Sequence, residues 1–139
     1  AWGEARWGAA AGVDDVVYIT VGTGIGGGVL IGGRPVHGLM HPEIGHVRVP
    51  RADGDDYPGG CPYHADCVEG LAAGPAIVAR WGRQLGELPE GHVAFAQTAH
   101  YLAHLIVNVI LFYAPRRIVL GGGVLTAELL KSQGYLQAK

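Results

Sequence analysis

Two strand-like runs with a glycine cluster between them, and no helix after that cluster, limit what this chain can fold into. Val16-Val17-Tyr18-Ile19-Thr20-Val21 is a continuous, mostly β-branched run, the pattern of a buried strand. Gly22-Thr23-Gly24-Ile25-Gly26-Gly27-Gly28 follows and contains G-x-G-x-x-G at Gly22, Gly24 and Gly27. That spacing marks a dinucleotide-binding turn only when a helix comes next. Here Val29-Leu30-Ile31 comes next, then Gly32-Gly33-Arg34 as a turn and an extended Pro35 to Gly38. The cluster is therefore the tip of a β-hairpin over 16–38. Its N–H groups and the Thr23 hydroxyl suit a phosphate tail without the helix dipole of a Rossmann turn. A tight turn with no ligand is the competing reading of this loop taken alone.

Glycine makes up 24 of 139 residues and concentrates next to strand-like runs rather than in a repeat or linker. Arg116 to Leu120 followed by Gly121-Gly122-Gly123 repeats the form of the first cluster, and nucleotides sit outside the carboxyl ends of strands in open α/β sheets. Two such glycine ends can grip one nucleotide. Between them, Cys67 to Gly86 and His92 to Ala114 show helical periodicity, with Gly74-Pro75 and Leu88-Pro89 as breaks. Thr126 to Lys131 and Ala1 to Ala11 also read as helical.

A second constellation lies between hairpin and helices. His46, Cys61, His64 and Cys67 supply two imidazoles and two thiolates, and C-x-x-H-x-x-C is short enough to bend around one ion. Four ligands close a tetrahedral zinc site and leave no open position for water, so the metal is expected to be structural. A Cys61–Cys67 disulfide is the alternative, but it leaves His46 and His64 without a role. Glu43 stands three residues before His46, so an ion that fixes His46 also directs Glu43. The loop is read as a zinc staple that presents acidic groups, Glu43 and Glu69, to a substrate.

Composition narrows the partners. The net charge is −2, and the ten Lys plus Arg form no stripe, which argues against nucleic acid. Tyr101 to Ala114, interrupted by His104 and Asn108, falls short of the roughly 20 apolar residues of a membrane span and reads as a core helix. His100, His104 and Asn108 share one helix face and read as a polar stripe. Trp2, Trp7 and Trp81 read as core or domain-contact residues.

Taken together, these motifs resemble the ROK family of sugar kinases and repressors, and within it the fructokinase or mannokinase branch. Ile19 to Gly26 is similar to the family's second phosphate motif, His41-Pro42-Glu43-Ile44-Gly45-His46 to its sugar motif, and Leu120 to Val124 to its adenosine motif. The histidine within Cys61 to Cys67 is similar to the fructokinase branch. The resemblance implies an actin-like ATPase (ribonuclease H-like) α/β fold, with 1–139 forming mostly the C-terminal domain of a two-domain kinase. Within it, 16–38 is the glycine hairpin, 41–69 the sugar and zinc loop, and 70–139 the helices and adenosine-motif strand. By resemblance, Glu43, His46 and Glu69 contact the sugar. Gly22, Thr23, Gly24, Pro75, Gly121, Gly122 and Gly123 contact the nucleotide, and His46, Cys61, His64 and Cys67 bind zinc.

The implied activity is ATP-dependent phosphorylation of a hexose at its 6-hydroxyl, with fructose first and mannose or glucose as alternatives. Magnesium would enter with ATP, and the intact protein would be a cytoplasmic homodimer. The family's D-x-G-G-T-K loop and catalytic aspartate are not among these residues, so the base is expected upstream of Ala1 and the chain is read as a fragment. A sugar-sensing repressor of the same family, or an inactive fragment that only binds zinc and ligand, are the alternative functions.

Overall fold

The computed structural model describes residues 1–125, so the helix expected over Thr126 to Lys131 lies outside the described residues. Four strands form one sheet: β1 (Val16–Val21), β2 (Ile25–Ile31), β3 (Arg34–Pro35) and β4 (Arg117–Gly121), in the order β3-β2-β1-β4. β1 and β2 are antiparallel, with Val21 opposite Ile25 across the glycine tip, as the hairpin reading requires. β1 and β4 are parallel, which brings both glycine ends to the same edge of the sheet. β3 itself ends at Pro35, and one more ladder bond follows from Val36 N–H to the Val29 carbonyl at 2.9 Å.

Among the described residues, four α-helices accompany the sheet: α1 (Trp2–Trp7), α2 (Val68–Ala72), α3 (Gly74–Trp81) and α4 (Val93–Tyr113). Val17, Ile19 and Val21 alternate onto one face of β1 and join Val68, Leu71, Ile77, Leu102 and Leu105 in the main core. The opposite face is less covered, since Tyr18 and Thr20 are half-buried and only Val16 packs with Leu30 and Ala10. The helical stretch over Cys67 to Gly86 breaks beside Gly74-Pro75 as expected, at Ala73, whose ψ of 159° is extended. α3 then restarts with Pro75 in its first turn, where a missing N–H costs nothing.

The tryptophans divide between surface and core. Trp2 and Trp7 are 58% and 80% exposed, because α1 covers only six residues and buries none of them, whereas Trp81 packs partly against the core. α4 matches the helical reading of His92 to Ala114, and what is corrected is the length of its apolar run. With 21 residues and a mean hydropathy of 1.4 it is long and apolar enough to cross a membrane by length and composition. Its buried face nevertheless includes Phe95, Tyr101, Leu102, Leu105 and Val109 in the core, while Val107, Leu111 and Phe112 are exposed. In the His100 stripe, the two imidazole rings lie 4.6 Å apart, and the His100 Nε2 atom stands 3.0 Å from the Pro50 carbonyl. Burial, and then the nearby His100, push the His104 pKa down.

The glycines that end β4 fit this packing tightly. A Cβ on Gly121 would meet the Tyr18 side chain. Gly122 has φ of +111°, and a Cβ there would run into the Val21 backbone. Gly122→Val is accordingly expected to destabilise the sheet edge by at least the roughly 1–3 kcal/mol of a strained backbone. A denaturant midpoint equal to the parent's would contradict this.

Candidate functional site

The site forms where the hairpin tip, the 3₁₀ turn Ile44–His46 and the start of α2 meet. The four ligand atoms of His46, Cys61, His64 and Cys67 lie within 4.8 Å of one another. His46 Nδ1 is 3.6 Å from both sulfurs, and His64 Nδ1 is 3.9 Å from Cys61 Sγ. Zinc bonds of about 2.3 Å to sulfur and 2.0–2.1 Å to nitrogen, set tetrahedrally, put such atoms about 3.5 Å apart, so the donor set fits that ion. Both cysteines are free thiols. Burial, together with the neighbouring Cys61 sulfur, pushes the Cys67 thiol up to about 11, so a cation must displace its proton to bind there at neutral pH. The knuckle is clamped by a short turn, Ala65 N–H to the Cys61 carbonyl at 2.9 Å, and by the Arg48–Asp66 ion pair at 3.0 Å.

His46 is the pivot between the cluster and a cleft. With Nδ1 facing sulfur, Nε2 faces two carboxylates, 4.0 Å from Glu43 and 3.9 Å from Glu69. A metal on Nδ1 leaves the proton on Nε2, which makes it a donor between two acceptors. Glu43 also holds His41 at 2.9 Å. Glu43 and Glu69 line a cavity of about 330 Å³ together with Thr23, Gly24 and Gly26 of the hairpin. Two acceptors and a donor converging beside a glycine tip can orient a polyhydroxylated molecule.

A second cavity, about 720 Å³, shares Gly22 and Thr23 with the first and runs on to Pro75, Val78, Leu85 and Gly123. Gly22 donates its N–H to Gly24 and accepts from Gly74 N–H at 2.7 Å, which ties the start of α3 to the tip. Gly123 borders this cavity, whereas Gly121 and Gly122 are packed against β1. Apart from Gly121 and Gly122, the sequence-predicted residues thus fall into one region that runs from the metal cluster to the carboxylate cleft and on to the larger cavity.

Sequence reasoning missed two features. The Gln84 to Glu87 turn walls the larger cavity, and only three-dimensional proximity reveals it. The other is Asp55, whose side chain is fully buried. Its carboxylate accepts from Arg80 at 2.8 Å, Arg51 at 3.2 Å, the Tyr57 N–H at 2.9 Å and the Tyr101 hydroxyl. Burial alone would raise its pKa, but the Arg80 and Tyr101 hydrogen bonds, the Tyr57 N–H and the Arg80 charge outweigh it and hold the carboxyl below its usual value. This node anchors the irregular segment that carries the knuckle to α3 and α4.

Comparison with known proteins finds relatives over most of this chain. A fructokinase of Zymomonas mobilis is 51% identical over 128 residues, covering 90% of this chain and 42% of that protein. A ROK hexokinase structure from Thermus thermophilus superposes with a TM-score of 0.71 at 31% identity, over 89% of this chain and 47% of that one. A ROK family glucokinase from Streptomyces griseus, in complex with glucose and AMPPNP, gives 0.66 at 27% identity, over 88% and 49%. The chain spans less than half the length of these relatives. The ROK family pattern matches residues 1–134, and the chain belongs to the ROK family.

Proposed function

We propose that this chain forms the sugar-binding side and one wall of the nucleotide cleft of an ATP-dependent hexose kinase, which phosphorylates the 6-hydroxyl of fructose, with mannose or glucose as alternatives. The observation that carries the reading is the convergence of Glu43, Glu69 and His46 beside the hairpin tip, in a cavity continuous with a larger one. The carboxylates accept hydrogen bonds from sugar hydroxyls and His46 Nε2 donates one. ATP lies along Gly22, Thr23, Gly24, Pro75 and the Gly121 to Gly123 end, with magnesium held on its phosphates. His46, Cys61, His64 and Cys67 hold a zinc ion, which supplies no chemistry to phosphoryl transfer and fixes the direction of His46.

Phosphoryl transfer depends mostly on positioning and charge neutralisation, with a general base adding about 10²–10⁴-fold. Glu43 and Glu69 are assigned to orientation. Asp14 and Asp15 precede β1, at the end away from the tip, where Asp15 is engaged with Gly32 N–H at 2.8 Å and Arg116 at 3.3 Å. Neither is placed to act as a base. The glycine cleft favours a kinase over a sugar-sensing repressor of the same family, since a repressor has no need of a phosphate loop.

A coupled assay with magnesium, ATP and a panel of hexoses tests this. The full-length protein should turn over fructose fastest, and the 139-residue chain alone should show no turnover. Glu43→Gln in the full-length protein replaces a charge-assisted acceptor worth about 1.5–3 kcal/mol, so kcat/KM for the sugar should fall about 10- to 100-fold. No hexose turnover by the full-length protein overturns the reading.

A further inference from the structure

We infer that Glu69 is a two-sided positioning residue whose carboxylate links the acceptor site to the phosphate-facing hairpin tip, so that sugar and nucleotide strengthen each other's binding. This rests on the hexose kinase reading above. Glu69 Oε2 accepts the Ile25 N–H at 2.9 Å, and Ile25 is the first residue of β2 after the tip. The approach is close, because a Cβ on Gly24 would come within 2.8 Å of the same oxygen. The other oxygen, Oε1, faces His46 Nε2 at 3.9 Å across the carboxylate cleft. Glu43 is different: it meets His41 and His46, and is half again more exposed, at 41% against 25%.

The two oxygens belong to one planar group that turns about a single soft torsion. A hydroxyl bound at Oε1 restricts that torsion and so steadies Oε2 on Ile25 N–H. Steadying Ile25 steadies Gly24, which borders the smaller cavity, and Thr23, which borders both. Gly22 is meanwhile held from the other side by Gly74 N–H at 2.7 Å. Linkage makes the effect reciprocal: whatever factor the sugar adds to nucleotide affinity, the nucleotide adds to sugar affinity.

The test uses the full-length protein and compares Glu69→Ala, Glu69→Gln and Glu43→Ala, with zinc content and thermal midpoint measured for each. In the parent, saturating fructose should tighten MgATP binding about 5-fold or more, the low end of common coupling. Glu69→Ala should raise KM for both substrates and bring the coupling factor to about 1. Glu69→Gln keeps an amide oxygen for Ile25 N–H, so it should raise KM for fructose while leaving KM for MgATP within about 2-fold. It also serves as the decisive variant if the alanine protein loses its metal. Glu43→Ala should weaken fructose but preserve the coupling factor once fructose saturates. A Glu69→Ala protein that retains the parent's coupling factor, or a Glu69→Gln protein that impairs MgATP as much as fructose, overturns the inference. Absence of any sugar or nucleotide binding by the parent overturns it together with the kinase reading.

Discussion

Cys67→Ser should release the metal and unfold the knuckle. Elemental analysis should fall from about one zinc per chain to a small fraction of that. The reason is geometric: Cys67 Sγ and Cys61 Sγ each stand 3.6 Å from His46 Nδ1, so the two thiolates and the imidazole define three corners of the coordination site. A serine hydroxyl binds zinc poorly at neutral pH, and structural zinc sites carry apparent binding free energies of about 10–16 kcal/mol in small domains. Losing even part of that frees the segment that feeds α2, and with it the direction of His46 and Glu69. Since both thiols must deprotonate to bind, the parent should also release its metal as pH falls. Metal-free parent protein purified without chelator, or a Cys61–Cys67 disulfide in reducing buffer, would falsify the assignment.

The parts of the molecule legible in the sequence are those in which neighbours along the chain are also neighbours in space. The hairpin could be read because Val16 to Val21, the glycine cluster and Val29 to Ile31 are contiguous, and a missing helix leaves antiparallel pairing as the short way back. The knuckle could be read because three of its four ligands lie within Cys61 to Cys67. His46 joins them from a separate turn, yet its residue type and its position next to Glu43 were enough. Which half of the core-or-contact reading holds for Trp2 and Trp7 was not legible, because aromatic identity says nothing about what lies beside a helix, and both are exposed here. α4 could be read because His100, His104 and Asn108 fall on one stripe of the continuous helical period from His92 to Ala114. The Asp55 node had no sequence signal. In Asp53-Gly54-Asp55-Asp56 nothing sets the third residue apart from solvated acids, and its partners Arg80 and Tyr101 come from elements remote in the chain.

That node gives the second large effect expected. Asp55→Ala removes a fully buried carboxylate and leaves Arg80, 14% exposed, without its charge partner. Breaking a buried pair from one side costs about 3–5 kcal/mol, because the remaining charge stays desolvated. Arg80 has some compensation, since its guanidinium lies 4.4 Å from the Trp81 ring centre and 5.5 Å from that of Tyr57. Contacts of that kind are worth about 0.5–2 kcal/mol and exist in the parent as well, so they do not offset the loss. The thermal midpoint should therefore fall by about 10 °C or more. The pH dependence separates a charge effect from lost packing. The folded pKa of Asp55 is depressed, so its contribution is present above the unfolded carboxyl value and is lost as pH falls through the lower folded one. The stability gap between parent and Asp55→Asn should hence be widest near neutral pH, and should close as pH falls below the ordinary carboxyl value of 3.8 and through the lower folded one. Replacing both members, Asp55→Leu with Arg80→Met, should recover much of the midpoint, because no buried charge is then stranded. Urea titrations at a series of pH values decide it, and a gap that stays constant with pH would assign Asp55 to shape alone.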